Sequence, residues 1–358
     1  MRRKPVGHTD DGQAPLLFLN NGTKPDRNRG CRLLRTESSR TFFRRRPVLR
    51  RTLAAAAALL LPLTAGCAGV TATEQINAAA ESTTKAAPSD ALPEQEARQL
   101  DDALTDYAAE TGSQFSAAIY EKSTGRSWYY NDGGTYLEAS LVKVPILLTL
   151  LRQATEEERQ LTLEEEYLAV MMIEYSDNDA TTELYQSVGG APELSRTYEL
   201  LGVTETSATE IWGANDTRAG DQLKIARALL EGVDWISGGL QDYAVELMEN
   251  VEDSQRWGIS AGLEESGAEI ALKNGWLQDD DLAWNVGSVG FVRAGGSEYA
   301  VVVLTAGSAS MEDGISAVEE VAGVINAFET TGGTSTGIPG KDTGDTDGSV
   351  WRAGGPEA

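Results

Sequence analysis

At 358 residues, 41% apolar and 24% charged, the chain is long enough for one large domain or two small ones, with ample material for a core. Its formal net charge of −25 is unevenly placed: residues 1–66 hold 14 Lys and Arg against 4 Asp and Glu, leaving 16 basic and 51 acidic residues in the body. So acidic a body repels nucleic acid and anionic lipid surfaces, and with one histidine (His8) and two cysteines (Cys31, Cys67) it has no means of building a disulfide framework or a Cys/His metal site.

Residues 1–43 carry scattered Arg, Gly, Asn and Pro and read as a structureless leader. An export signal in three parts follows: a basic segment (Arg44 to Arg51), an apolar segment (Thr52 to Leu63) too short for a stable membrane anchor, and the small-residue site Thr64-Ala65-Gly66-Cys67. The site is similar to a bacterial lipobox, with Thr64 where Leu is usual, which makes Cys67 the expected lipid acceptor and mature N-terminus. On this reading residues 1–66 are removed and the body is extracytoplasmic, anchored to the outer face of the cell membrane. Residues 67–91, rich in Ala, Thr, Ser and Glu, read as a tether.

A domain is expected over 92–329. Helical spacing runs from Leu92 to Glu110, and strands are expected at Gln114 to Lys122 and Arg126 to Asn131, joined by a turn at Gly125. From Ser140 to about Val251 the pattern is helical throughout. Strands return at Ala268 to Gly275, Ala283 to Ala294 and Tyr299 to Ala306, and an amphipathic helix covers Met311 to Phe328. Residues 330–358 read as a disordered tail. The fold class is α/β in composition, more closely α+β: an antiparallel sheet flanked by terminal helices, with an all-helical subdomain of about 140–251 inserted.

The chemistry starts at Ser140 and Lys143. On a helix they share a face one turn apart, so hydroxyl and amine can meet, and Lys143 is embedded in Leu141, Val142, Val144, Ile146, Leu147 and Leu148. Desolvation disfavours the charged lysine and makes it a proton acceptor that needs no histidine. The same spacing at Ser82 and Lys85 lies in the polar tether, where nothing buries the amine. Downstream stand Tyr175-Ser176-Asp177-Asn178, between two helical segments, and Lys273-Asn274-Gly275, near the end of a strand. Singly, the first reads as caps and turn formers and the second as an edge-strand guard.

In this order, Ser-x-x-Lys, Ser-Asp-Asn and Lys-Asn-Gly resemble the three signature elements of the penicillin-recognising serine hydrolases, which include class A β-lactamases and D-alanyl-D-alanine peptidases. The resemblance spans about Leu92 to Phe328. It implies a β-lactamase/transpeptidase-like fold and a set of roles. Ser140 is the nucleophile that forms an acyl-enzyme, Lys143 its base, and Ser176 the relay to the departing nitrogen, held between Lys143 and Lys273. Asn178 binds the substrate amide and positions Lys143; Lys273, the fourth catalytic residue, attracts the substrate carboxylate and as a nearby cation helps keep the Lys143 pKa low; Asn274, Gly275 and Trp276 bind substrate, and the backbone N–H groups of Ser140 and Trp276 form the oxyanion hole. The implied partner is a small-molecule β-lactam or a cell-wall peptide. No cofactor or metal is implied, and a monomer is expected.

Three departures qualify the pattern. Asn274 stands where Thr or Ser is usual, offering an amide to the substrate carboxylate. The Ser140-to-Ser176 interval is short for a class A enzyme. The Glu-x-x-Leu-Asn segment that supplies the deacylating glutamate is missing; Glu210 is the nearest stand-in, with Asn215 one residue too far along. Three functions follow: a β-lactam-opening hydrolase with slow deacylation, a cell-wall peptidase, or a non-catalytic cell-wall-binding lipoprotein. Trp212, Trp276 and Trp284 are candidate cleft residues.

Overall fold

A computed structural model describes residues 90–263 and 266–333. The leader, Cys67 and nearly all of the tether and tail lie outside them. Helix α1 (Glu94–Thr111) ends where Gly112 adopts φ 72°, a left-handed cap that glycine takes without strain. It leads into β1 (Gln114–Glu121) and β2 (Arg126–Tyr130), and the C-terminal strands are β5 (Glu269–Gln278), β6 (Trp284–Ala294) and β7 (Ser297–Ser308). They form one five-stranded sheet in the order β2-β1-β7-β6-β5, with every pair antiparallel. Sequence ends thus meet in the middle of the sheet, at β1 and β7, while β5 is left at an edge. Helix α8 (Met311–Thr331) runs past Phe328, three residues beyond its expected end, to a left-handed cap at Gly332.

Period-two alternation in the strands divides the core between the two faces. Ala117, Ile119, Val301 and Val303 pack with Leu100 and Leu104 of α1 and Val321, Ile325 and Phe328 of α8. Ala118, Tyr120, Ala300, Val302 and Leu304 face the helical side. Both faces being covered, β7 is buried along most of its length.

The helical side holds α2 (Lys143–Glu156), α3 (Leu163–Ile173), α4 (Asn178–Ser187), α5 (Gly190–Leu201), α6 (Ala219–Glu231) and α7 (Gly238–Glu249). Helix α3 starts at a capping box, Thr162 and Glu165 each satisfying the other's backbone N–H. The region is not helical throughout. Residues 202–218 are irregular apart from β4 (Asp216–Thr217), which pairs with β3 (Tyr136–Leu137) just ahead of Ser140. Proline is absent from 202–218, but Gly, Thr, Asn and Asp crowd it and favour turns over a helix. Helix α6 also packs directly on β1, β6 and β7, so it belongs to the sheet's own layer as much as to the inserted helices.

Candidate active site

The site forms where α2, the turn before α4 and edge strand β5 converge. Ser140 sits in a 3-10 turn, Ala139–Val142, that precedes α2, and Lys143 is the first residue of α2 itself. Ala139 has φ 48°, a left-handed conformation unusual for a residue with a side chain. Ser176 repeats this with φ 53°. Such strain costs on the order of 1–3 kcal/mol per residue and collects at functional turns held by their surroundings.

Lys143 is fully buried, and its Nζ donates to Ser176 O (2.7 Å), Ser176 Oγ (3.0 Å) and Asn178 Oδ1 (2.9 Å). Lys273, equally buried, donates to Ser176 Oγ (2.9 Å) and its neighbour's carbonyl, Asn274 O (3.0 Å). Asp177 caps α4, accepting from Ala180 N at 2.8 Å, which fixes the turn that presents Ser176. Burial, then the Lys273 charge, holds the Lys143 amine well below the usual lysine range, with Asp177 opposing weakly. Burial alone brings Lys273 down to about 7.

Ser140 and Lys143 do not make the expected bond. Three acceptors surround Lys143 Nζ, as many as a protonated amine has N–H groups to give. Loss of a proton frees one of these contacts and supplies the lone pair with which it can serve Ser140. The half-buried Ser140 remains accessible to a ligand. Because Ser176 Oγ accepts from both lysines, its own O–H is the group left to donate outward.

Strand alternation sorts the third motif. Lys273 and Gly275 share the face toward the helices, and Gly275 lies so close to the nucleophile turn that a Cβ on it would stand 3.0 Å from Ser140 N and Leu141 N. Asn274 points to the other face. There its Nδ2 donates to Gln255 O (2.8 Å) and Trp257 O (3.1 Å), so the amide is committed to a neighbouring loop and is not offered to a ligand carboxylate as expected. The same loop reaches the second motif: Glu252 N donates to Glu174 O (3.0 Å) and Gln255 Nε2 to Tyr175 O (2.9 Å). Half-buried Trp276 lies beside Trp257, ring centroids 6.0 Å apart. Trp212 faces Lys143, whose Nζ is 5.4 Å from the ring centroid. Trp284 begins β6 and packs against the core on the side of the terminal helices.

Glu210 is exposed and forms no hydrogen bond with Ser140 or Lys143. The acid that does stand near the nucleophile in the chain, Glu138, escaped the sequence reading. It is fully buried and accepts from Tyr198 Oη (2.9 Å to each oxygen), Asn215 Nδ2 (2.8 Å) and Gln222 Nε2 (2.9 Å). Burial raises its carboxyl to about 7, against the lowering effect of these bonds. An acidic residue two places before the serine in an apolar stretch was the available signal. Among the described residues, no group of three or more His, Cys, Asp or Glu is arranged to hold a metal ion.

The chain matches the β-lactamase enzyme family over residues 98–167 and 158–328, a span that takes in all three motifs. It belongs to that family. No curated protein matches it in sequence. Among solved β-lactamase-fold structures, it is similar to a class A β-lactamase from Bacteroides cellulosilyticus at 13% identity and TM-score 0.59, covering 66% of this chain and 99% of that one. A β-lactamase from Sphaerobacter thermophilus gives 22% identity and TM-score 0.56, covering 66% and 97%. PBP-A gives 21% identity and TM-score 0.55, covering 65% and 96%. The β-lactamase fold is therefore shared at identities where side chains have widely diverged.

Proposed function

We propose that this β-lactamase-family protein is a serine hydrolase that forms an acyl-enzyme at Ser140, opens a β-lactam amide and releases the acyl group slowly. The observation that carries the reading is the Ser176 hydroxyl held between two buried lysines of depressed basicity. Lys143, once neutral, takes the Ser140 proton as Oγ attacks the carbonyl carbon. The Ser140 and Trp276 N–H groups receive the oxyanion. As the C–N bond breaks, Ser176 gives its proton to the nitrogen and is reprotonated from Lys143. Gly275 lets β5 approach the turn that carries Ser140.

Slow release follows from the carboxylates. Glu210 is exposed, and Glu138 is engaged by neighbouring donors at both oxygens. Neither bonds to Ser140 or Lys143, which supports slow hydrolysis of the ester. The same observation favours a second reading, a peptidase acting on cell-wall stem peptides. A variant of PBP-A, a structural neighbour, has been solved as an acyl-enzyme complex with penicillin G.

An intact-mass time course with a penicillin tests both, with Ser140→Ala as control. A persistent adduct absent from the control supports acylation with impaired release. Full conversion with only a fleeting adduct would show efficient hydrolysis and refute slow release; no adduct and no conversion would refute the β-lactam reading.

We further propose that the protein is exported and lipid-anchored through Cys67. The basic segment, the apolar segment and the small-residue site that ends in Cys67 support this. Labelling with an alkyne fatty acid that is retained in Cys67→Ala would overturn it.

A further inference from the structure

The turn that carries Ser140 is anchored by residues outside the three motifs. Glu138 N donates to Asn215 O (2.8 Å), Ala139 N donates to Gly213 O (3.2 Å), and Leu141 N donates back to Glu138 O (3.1 Å). The backbone on both sides of the strained Ala139 is thus tied down, and the Glu138 side chain secures the same turn from below through Tyr198 of α5, Asn215 ahead of β4 and Gln222 of α6. Among the described residues the carboxylate forms no ion pair, so a charged group is held entirely by neutral donors. A structural acid without a counter-ion is an expensive way to fill a core, since an apolar residue of similar volume avoids the desolvation cost.

What the charge supplies is acceptor capacity. An ionised carboxylate takes all of these donors at once. A protonated acid or an amide must turn one hydrogen toward a donor. We propose that ionised Glu138 is a positioning residue for the nucleophile: clamped by Tyr198, Asn215 and Gln222, it fixes the left-handed turn at Ala139 and so seats the Ser140 backbone against Gly275. It acts through Ser140 and touches no substrate. The titratable groups facing it are Tyr198 from α5, Tyr185 from α4 and Asp221 from α6. Asp221 repels its charge; burial, with the Glu138 charge adding to it, raises both tyrosines, which remain neutral while the carboxyl titrates. Its raised basicity places that titration near neutrality, within reach of kinetics.

The inference rests on Ser140 being the acylated residue, and the test separates the two. Second-order acylation rates of the full chain with a fluorescent penicillin are measured from about pH 5.5 to 8.5 for wild type and Glu138→Gln, with folding checked by circular dichroism. At the alkaline end the variant should acylate about 10-fold more slowly, a difference of about 1.4 kcal/mol, because the amide turns an N–H toward one of the donors. The ratio should close toward unity at the acid end, where wild-type Glu138 is itself neutral. Titration of Lys143 and Lys273 is common to both proteins and cancels. A ratio near unity at every pH, or a loss of constant size across the range, would overturn positioning by the charge, the latter indicating structural damage alone. If Glu138→Gln does not fold, Tyr198→Phe, which removes one donor from the carboxylate, decides: loss confined to the alkaline limb is expected, and wild-type rates refute. A wild type that never labels would bring down the Ser140 assignment along with this inference, whereas a labelled wild type with an indifferent variant refutes only the inference.

Discussion

Lys143 and Lys273 aim at the same oxygen, their Nζ atoms 3.0 and 2.9 Å from Ser176 Oγ, and neither is exposed to solvent. Two amines that would each carry a proton in water are pressed into one buried pocket. In the proposed reaction the arrangement serves proton transfer, and burying two amines costs stability.

Removing one of these amines should therefore strengthen the fold while ending the chemistry. Lys273→Met is expected to raise the melting temperature at pH 7 by roughly 2–5 °C, as replacing a buried charge by an apolar chain does. Penicillin labelling should fall about 100-fold or more. Calorimetry and the mass assay read both, and a lower melting temperature would contradict the first half.

The pH dependence of stability has opposing limbs. Burial raises Glu138 to about 7 and Glu329 to about 8, so their contributions are fully present below the unfolded carboxylate value of 4.5 and are lost as pH rises through the folded values. Lys273 is lowered to about 7 from 10.5; its contribution is present above the unfolded value and is lost as pH falls through 7. Melting temperature should accordingly dip near pH 7–8 relative to both pH 5 and about pH 9, and fall again near pH 10, where the tyrosines that burial raises, Tyr198 and Tyr299 among them, ionise first in the unfolded chain. Glu329→Gln should shallow the acid-side slope, and thermal scans across this range check it.

Gly275 is required by its distance to the nucleophile turn. Gly275→Ala places a methyl group 3.0 Å from Ser140 N and Leu141 N, so the turn or the strand must give. An unchanged fold by circular dichroism with acylation slowed about 10- to 100-fold is expected, the range for a small misplacement of reacting groups.

Asn274 holds a wall. Asn274→Ala strips two hydrogen bonds from the loop carrying Trp257, and a loss of roughly 1–3 kcal/mol in chemical unfolding is expected. Tryptophan fluorescence should shift as the Trp257–Trp276 pair loosens. An unaltered spectrum and stability would show that the loop stands without it.

Much of this was open to reading before any coordinates. Helix and strand periods announced α1, the five strands of the sheet and α8 to within a few residues, because each buries one face or one stripe. The three motifs named Ser140, Lys143, Ser176, Asn178 and Lys273, and the structure brings the last four into one bonded cluster. What was missed depends on partners far away in the chain. Nothing local to Glu138 reveals Tyr198 or Gln222, and Asn274 looked like a ligand contact until the loop that binds its amide was in place. Its orientation could have been anticipated, since a strand that turns Lys273 toward the helices turns the next residue away. The 3-10 turn at Ser140 was hidden by helical apolar spacing that continues straight through it.

The loop at 252–257 staples one lip of the cleft, joining Glu174 and Tyr175 on the helical side to Asn274 on the sheet. Mechanically, that edge is a pivot. Breathing that widens the cleft is expected to be smallest at the staple and largest away from it. The second and third motifs, 97 positions apart at Ser176 and Lys273, are thus tied to each other twice, through this loop and through the bond from Lys273 Nζ to Ser176 Oγ.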